Sequence, residues 1–277
     1  MLAEISVTTA RVRGLIGKAA LDGRVMKAMG KVPRHEFVPI ELQPYAYANR
    51  PLPIGFDKTI SQPFIVALMM DLLEISPDNT VLEIGTGLGY QTALLAELAR
   101  KVYSIEIIEE LGQQAKKRLR REGCTNVELK IANGYHGWSE HAPFDRVIVT
   151  AAPDLIPPPL IHQLKKGGKM VIPAGLPDAQ QLMLVDKDDD GRVAMREVLP
   201  VQFSHRPCGN CPEFGVRQRE ERAVRESERL GLIGRLTRPK RRPGPQCAQI
   251  EPPDPPQAAT AAVMASTPRM LSARRKL

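Results

Sequence analysis

The chain is expected to fold as an α/β protein, an open, mostly parallel sheet with helices on both faces, preceded by an N-terminal helical cap and followed by a disordered C-terminal tail. Three observations lead there. Short apolar runs of strand length alternate with helix-length segments between residues 80 and 186, at the spacing of right-handed crossovers. The junction Val81-Leu82-Glu83-Ile84-Gly85-Thr86-Gly87-Leu88-Gly89-Tyr90 reads as a strand that breaks into three glycines before a helix. Past residue 203 the composition turns Pro-, Arg- and Ala-rich with few large hydrophobes, which cannot build a packed core.

In chain order, Val12, Leu15, Ile16, Leu21, Val25 and Met29 recur at roughly helical spacing over 9–29, and Gly30 and Pro33 end the pattern. A Pro-rich loop through Pro51 and Pro53 follows. Ser61 to Glu74 reads as a helix that tolerates Pro63 in its first turn. Strands are expected at 80–84, 102–106, 127–132, 145–150, 168–173 and 181–186, with helices at 91–100, 109–122 and 155–165 between them. Ligands in such sheets sit beyond the carboxyl ends of the strands, where Gly85, Glu106, Asn133 and Thr150 all fall. The chain thus divides into a cap with its adjoining loop (1–76), a ligand-binding core (77–203) and a basic tail (204–277).

The glycines at 85, 87 and 89 let the backbone turn sharply and approach a ligand where a Cβ would collide. Val102-Tyr103-Ser104-Ile105 reads as the next parallel strand. It ends in Glu106, about twenty residues past the loop, where a carboxylate can accept both hydroxyls of a ribose. Dinucleotide sites favour G-x-G-x-x-G, with the helix N-terminus on a pyrophosphate, whereas this loop is G-x-G-x-G. Glu83 before it repels a pyrophosphate and suits an ammonium and a sulfonium. The expected cofactor is S-adenosyl-L-methionine, and the expected fold the Rossmann-like S-adenosylmethionine-dependent methyltransferase fold.

With 277 residues, 43% apolar and 25% charged, the chain can bury one sizeable core with an appendage. The longest nearly apolar run, Phe64 to Leu73, is interrupted by Asp71 and falls far short of the roughly 20 residues a bilayer requires, so no membrane partner is expected. Charges at Glu4, Arg11 and Arg13 without an apolar signal core argue against export. Four unevenly spaced cysteines make no disulfide framework and agree with a reducing, cytoplasmic address. The net charge of +8 invites a nucleic-acid reading, yet residues 1–203 carry 24 basic and 24 acidic side chains, so the excess lies in the tail. In that tail, Cys208 and Cys211 have metal-type spacing beside His205 but no second ligand pair follows, and no metal site is expected. Arg238-Pro239-Lys240-Arg241-Arg242 is a basic patch suited to an acidic partner, with no aromatic after Phe214 on which a base could stack.

Thr59-Ile60-Ser61-Gln62-Pro63 upstream of the glycine loop, together with Pro143-Phe144-Asp145, Thr150-Ala151-Ala152-Pro153, Val32-Pro33-Arg34-His35-Glu36-Phe37-Val38 and Leu52-Pro53-Ile54-Gly55, resembles the pattern of the protein-L-isoaspartate O-methyltransferases from about residue 10 to Phe203. The resemblance implies methyl esterification of the free carboxylate of L-isoaspartyl residues in damaged proteins and peptides, which starts their repair through a succinimide. It implies a monomer that takes Ser61 as the residue holding the acceptor. It assigns the cofactor to Thr59, Ile60, Glu83, Gly85, Thr86, Gly87, Glu106, Asn133 and Gly134. Read alone, Ser61 before Gln-Pro is also an ordinary helix N-cap.

Three departures stand out. Asn133 replaces the family's usual aspartate; its amide oxygen can accept from the adenine amine, but the full charge is gone and cofactor affinity is expected to fall modestly. Asp57 stands where a glycine is expected. Ser204-His205-Arg206 replaces the apolar and proline continuation after Val201-Gln202-Phe203. Two other readings remain: a cofactor-binding adaptor without turnover whose tail recruits a partner, and a methyltransferase acting on another carboxylate.

Overall fold

The structure is a computed structural model that describes residues 1–176, 178–203 and 205–206. Its strands form where β-branched and aliphatic residues run together, and most pair in parallel. β1 (Leu52–Gly55) and β2 (Lys58–Ile60) make a separate hairpin. The main sheet contains β3 (Thr80–Ile84), β4 (Lys101–Glu106), β5 (Val127–Ile131) and β6 (Phe144–Val149). After a two-residue β7 (Ala152–Pro153) the chain returns to that sheet with β8 (Leu164–Ala174), β9 (Gln181–Lys187) and β10 (Val193–Pro200). Finally β11 (His205–Arg206) pairs in parallel with β7. The seven-stranded order is β10-β9-β8-β6-β3-β4-β5, parallel from β8 to β5 and antiparallel at β9 and β10. Because β3 runs on to β4 and β5 on one side while β6 returns on the other, the order reverses at β3, and a crevice opens there beyond the strand ends.

The helical cap expected from the spacing over 9–29 is made of three helices: α1 (Leu2–Arg11), α2 (Arg13–Ile16) and α3 (Gly23–Lys31). Gly17 ends α2 in the left-handed region at φ 71°, and Asp22 starts α3 by accepting the Arg24 N–H at 2.6 Å. Apolar spacing carried across both signals without registering them. α4 (Pro63–Leu72) begins with Pro63 in its first turn and is buried along its whole length, as its all-round apolar composition requires. Its one acid, Asp71, accepts from Lys18 Nζ at 2.8 Å and the Asp22 N–H at 2.7 Å, which ties α4 to the N-terminal helices. α5 (Tyr90–Leu98), α6 (Glu109–Arg121) and the short α7 (Pro158–Gln163) fall close to the expected segments.

Strand alternation divides the core. Val81 and Ile148 pack on one face with α4, α5 and α6, whereas Leu82, Ile84 and Val147 pack on the other with Trp138, Phe144 and Leu160 of α7. The sequence did not reveal β10, an edge strand whose residues Val193 to Glu197 are all exposed and so lack a buried-strand signature. The cysteine pair at 208 and 211, the basic patch at 238–242 and the expected disorder of the tail lie outside the described residues.

The hairpin of β1 and β2 turns through Phe56 and Asp57, both left-handed at φ 55°. A two-residue loop with both central residues in this region favours Asn-Gly, so neither residue present suits it. Asp57→Gly is expected to raise the melting temperature, with a gain of about 0.5–1 kcal/mol in thermal or denaturant unfolding. A loss of stability would contradict this account of the turn.

Candidate active site

At the carboxyl ends of β3, β4 and β6 an open cleft of about 690 Å3, solvent space included, is walled by the β1–β2 hairpin. Its lining includes Thr59, Ser61, Gly85, Gly87, Glu106 and Gly134 among the residues expected at the site. The glycines are needed for space. A Cβ on Gly85, at φ 97°, would lie 2.2 Å from Thr150 Oγ1, and one on Gly134 would lie 2.4 Å from Ile84 Cγ2. Gly87, at φ 58°, lies under Ile54 of the hairpin, whose Cδ1 would sit 3.3 Å from an added Cβ. Thr150 hydrogen-bonds through its hydroxyl to the Gly85 carbonyl at 2.7 Å and fixes the loop from the β6 side.

Glu106, buried at the end of β4, is held by backbone amides alone: Gly87 N–H donates to Oε2 at 2.8 Å, and Ile107 and Ile108 N–H both donate to Oε1 at 2.9 Å. A carboxylate has about four acceptor positions, so this arrangement leaves Oε2 room for a further hydroxyl. Ile105, Ile107, Ile108 and Leu111 supply apolar wall beside it.

Ser61 follows β2 and lines the cleft; among the described residues its hydroxyl has no hydrogen-bond partner. The N-cap of α4 is Gln62, so the alternative reading of Ser61 as the cap does not hold. The Ser61 carbonyl accepts from Nη2 of Arg34 at 2.7 Å. Arg34 is fully buried, donates through Nε to the Ala46 carbonyl at 2.8 Å and stacks 4.8 Å from the Tyr90 ring centroid. Burial lowers the pKa of its guanidinium to about 10. One side chain thus links the Ser61 backbone to the first residue of α5, behind the glycine loop.

The sequence model described as "Protein-L-isoaspartate(D-aspartate) O-methyltransferase (PCMT)" matches residues 10–205. The chain belongs to this family. It is 71% identical over 204 residues to protein-L-isoaspartate O-methyltransferase 1 of Polaromonas sp., covering 74% of this chain and 86% of that one. Protein-L-isoaspartate O-methyltransferase 2 of the same organism is 59% identical, with 73% and 97% covered. Among solved structures, a protein-L-isoaspartate O-methyltransferase superposes with a TM-score of 0.64 at 28% identity, over 79% of this chain and 70% of that one.

In this protein-L-isoaspartate O-methyltransferase family member, the remaining expected site residues lie behind the cleft lining. Ile60 is buried in the core, whereas Thr59 before it reaches the cleft wall. Asn133 accepts the Tyr135 N–H at 3.0 Å and starts the helical turn that presents Gly134. Thr86 and Glu83 belong to a buried chain of hydroxyls: Thr86 donates to Ser104 (2.6 Å), Ser104 to Glu83 Oε2 (2.6 Å), and Thr92 of α5 to the same oxygen (2.5 Å). Oε1 of Glu83 has no hydrogen-bond partner among the described residues. Glu83 therefore braces the loop from beneath rather than facing the cleft, a placement hidden in the sequence because both faces of β3 are buried. Asp145 of the Pro-Phe-Asp motif accepts the Thr80 N–H at 2.8 Å at the start of β3, away from the cleft. Phe203 reaches the lining because Gln180 clamps its backbone, accepting its N–H at 2.6 Å and donating to its carbonyl at 3.2 Å.

Burial pushes the Glu83 pKa up to about 7, against hydrogen bonds from Ser104 and Thr92 that lower it. Between about 4.5 and about 7 the folded chain keeps a proton that the unfolded chain releases. The contribution is therefore fully present below about 4.5 and is lost as pH rises through about 7. Comparing denaturant unfolding at pH 5 and pH 8, wild type is expected to lose on the order of 3 kcal/mol more than Glu83→Gln. Equal losses would contradict the buried, protonated assignment.

Proposed function

We propose that this cleft binds S-adenosyl-L-methionine along the glycine loop and that Ser61 holds the free carboxylate of an L-isoaspartyl residue for methyl esterification. The observation that carries the reading is the convergence, in one cleft, of a floor without Cβ atoms, a carboxylate fixed by three amides and a hydroxyl with no hydrogen-bond partner among the described residues. These features fit the cofactor: Glu106 would take a ribose hydroxyl on Oε2, Gly85 and Gly87 would lie against the amino-acid portion, and the isoleucines with Gly134 would enclose the adenine. Asn133, Thr86 and Glu83 shape this surface from behind, and Ile60 seats β2 so that Thr59 faces inward.

When bound, S-adenosyl-L-methionine supplies a methyl on a sulfonium, which a carboxylate already ionised at neutral pH can take up with no proton gained or lost. The protein therefore has to position rather than to activate. Ser61 donates its hydroxyl hydrogen to one carboxylate oxygen and orients the other. The Arg34 bond to the Ser61 carbonyl fixes where that hydroxyl sits. The hairpin and Phe203 wall the cleft and supply apolar surface beside the reacting groups. In the ester the departing group is methoxide rather than the hydroxide or oxide of the acid, so the backbone amide nitrogen can attack the ester carbonyl, release methanol and close the succinimide, the first step of repair in damaged proteins.

The enzyme is read as a cytoplasmic monomer with no nucleic-acid or membrane partner. Its sparse cysteines suit a reducing compartment, its first 203 residues are electrically balanced, and no helix among the described residues is long and apolar enough to cross a membrane. Incubation with labelled S-adenosyl-L-methionine and an isoaspartyl peptide tests the reaction. A base-labile methyl ester that decays to succinimide is expected; a base-stable methyl group would overturn the assignment.

A further inference from the structure

Two charged side chains line the cleft, Glu106 and Lys58. Glu106 is engaged by three backbone amides. Lys58 lies on β2, beside Thr59 and three residues before Ser61. Most lysines of the described residues have an anion or carbonyl: Lys18 on Asp71, Lys31 on Glu97, Lys165 on Asp145, Lys169 on Asp186. Lys58 has none. The other lysines without a hydrogen bond or ion pair among the described residues, Lys27, Lys116, Lys117 and Lys166, are exposed, where water solvates the ammonium; Lys58 alone in that set is partly buried. A cation in the cleft wall without a counterion among the described residues is open to pair with an incoming anion.

We propose that Lys58 reads the negative charge of the acceptor, pairing with the free carboxylate of the isoaspartyl residue before transfer. This rests on the reading of the cleft as the methylation site and adds the element that selects an anionic acceptor. The charge also gives the pairing a direction: the carboxylate is anionic before reaction and the ester is neutral after it, so the attraction that draws substrate in is absent from product. Lys58 thus favours substrate over its own product and hastens turnover at the release step. Ser61, a neutral hydroxyl, supplies orientation and distinguishes the two less sharply than a full positive charge does. Asp57, exposed at the hairpin tip, sets an opposing charge next to Lys58 in sequence and limits the attraction.

Two peptides identical except that the free carboxylate of the isoaspartyl residue is an acid in one and a carboxamide in the other separate charge from shape. Calorimetric binding to the full chain, saturated with S-adenosyl-L-homocysteine, is expected to show the acid bound about tenfold more tightly, with the preference shrinking at high salt. Lys58→Gln is expected to abolish the preference and to raise KM for the acid peptide about tenfold while leaving KM for S-adenosyl-L-methionine in place; Lys58→Arg should restore most of the preference. A wild type that binds acid and amide equally, or a Lys58→Gln variant that keeps the preference, overturns the proposal. A wild type that prefers the acid peptide through Lys58 but transfers no methyl overturns the assigned reaction instead, and one that binds neither peptide overturns both.

Discussion

Ser61→Ala is expected to lower kcat for an isoaspartyl peptide about 10- to 100-fold while cofactor affinity stays within about twofold. The magnitude is that of one hydrogen bond to a charged group lost from the reacting geometry, about 1.5–3 kcal/mol. It falls on turnover because the Ser61 hydroxyl has no structural partner: among the described residues it holds nothing together, and the local backbone is fixed by the Arg34 bond to the carbonyl, which the substitution leaves in place. Steady-state kinetics beside calorimetric titration of S-adenosyl-L-homocysteine separates the two effects. Weakened cofactor binding with unchanged turnover would move Ser61 to the other side of the cleft's chemistry.

Glu106→Ala is expected to act in the opposite way, weakening cofactor binding about 100-fold or more. Two losses combine. The acceptor for a ribose hydroxyl disappears, and the amides of Gly87, Ile107 and Ile108 lose the carboxylate that sets the distance between the glycine loop and the end of β4. Glu106→Gln, which keeps the shape and one acceptor oxygen but places an NH2 group against backbone donors, should fall between alanine and wild type. Titration with S-adenosyl-L-homocysteine reads the affinity directly. A Glu106→Ala variant with wild-type affinity would remove the ribose assignment.

Much of this site was legible before any coordinates. The glycines at 85 and 87 were readable because only glycine permits that backbone and that approach, and Glu106 because the end of the next parallel strand is fixed by crossover length. What could not be read was which way a side chain faces on a strand buried on both sides. Glu83 looked like a cofactor ligand from its place before the loop, but its partners Ser104 and Thr92 come from β4 and α5, twenty-one and nine residues on. Ile60 and Thr59 were grouped by motif, although Ile60 is buried in the core and Thr59 reaches the cleft wall; the strand itself went unrecognised behind Pro51 and Pro53. Lys58, Ile54 and Phe203 enter the lining only through the hairpin and through the Gln180 clamp, contacts that no local pattern encodes. Helix ends failed in the same local way: the breaks within the N-terminal helical cap needed the left-handed Gly17 and the Asp22 cap to be weighed above apolar spacing.

Action on the β-linked aspartate is the property that sets this cleft apart from a general carboxylate methylation site. Methyl transfer from labelled S-adenosyl-L-methionine should be measured for two peptides that differ only in aspartyl versus isoaspartyl linkage, using the full chain. Label on the isoaspartyl peptide, with kcat/KM at least about 100-fold above its aspartyl partner, is the expected result. Equal labelling of both peptides, or tight cofactor binding with no transfer to either, would contradict it.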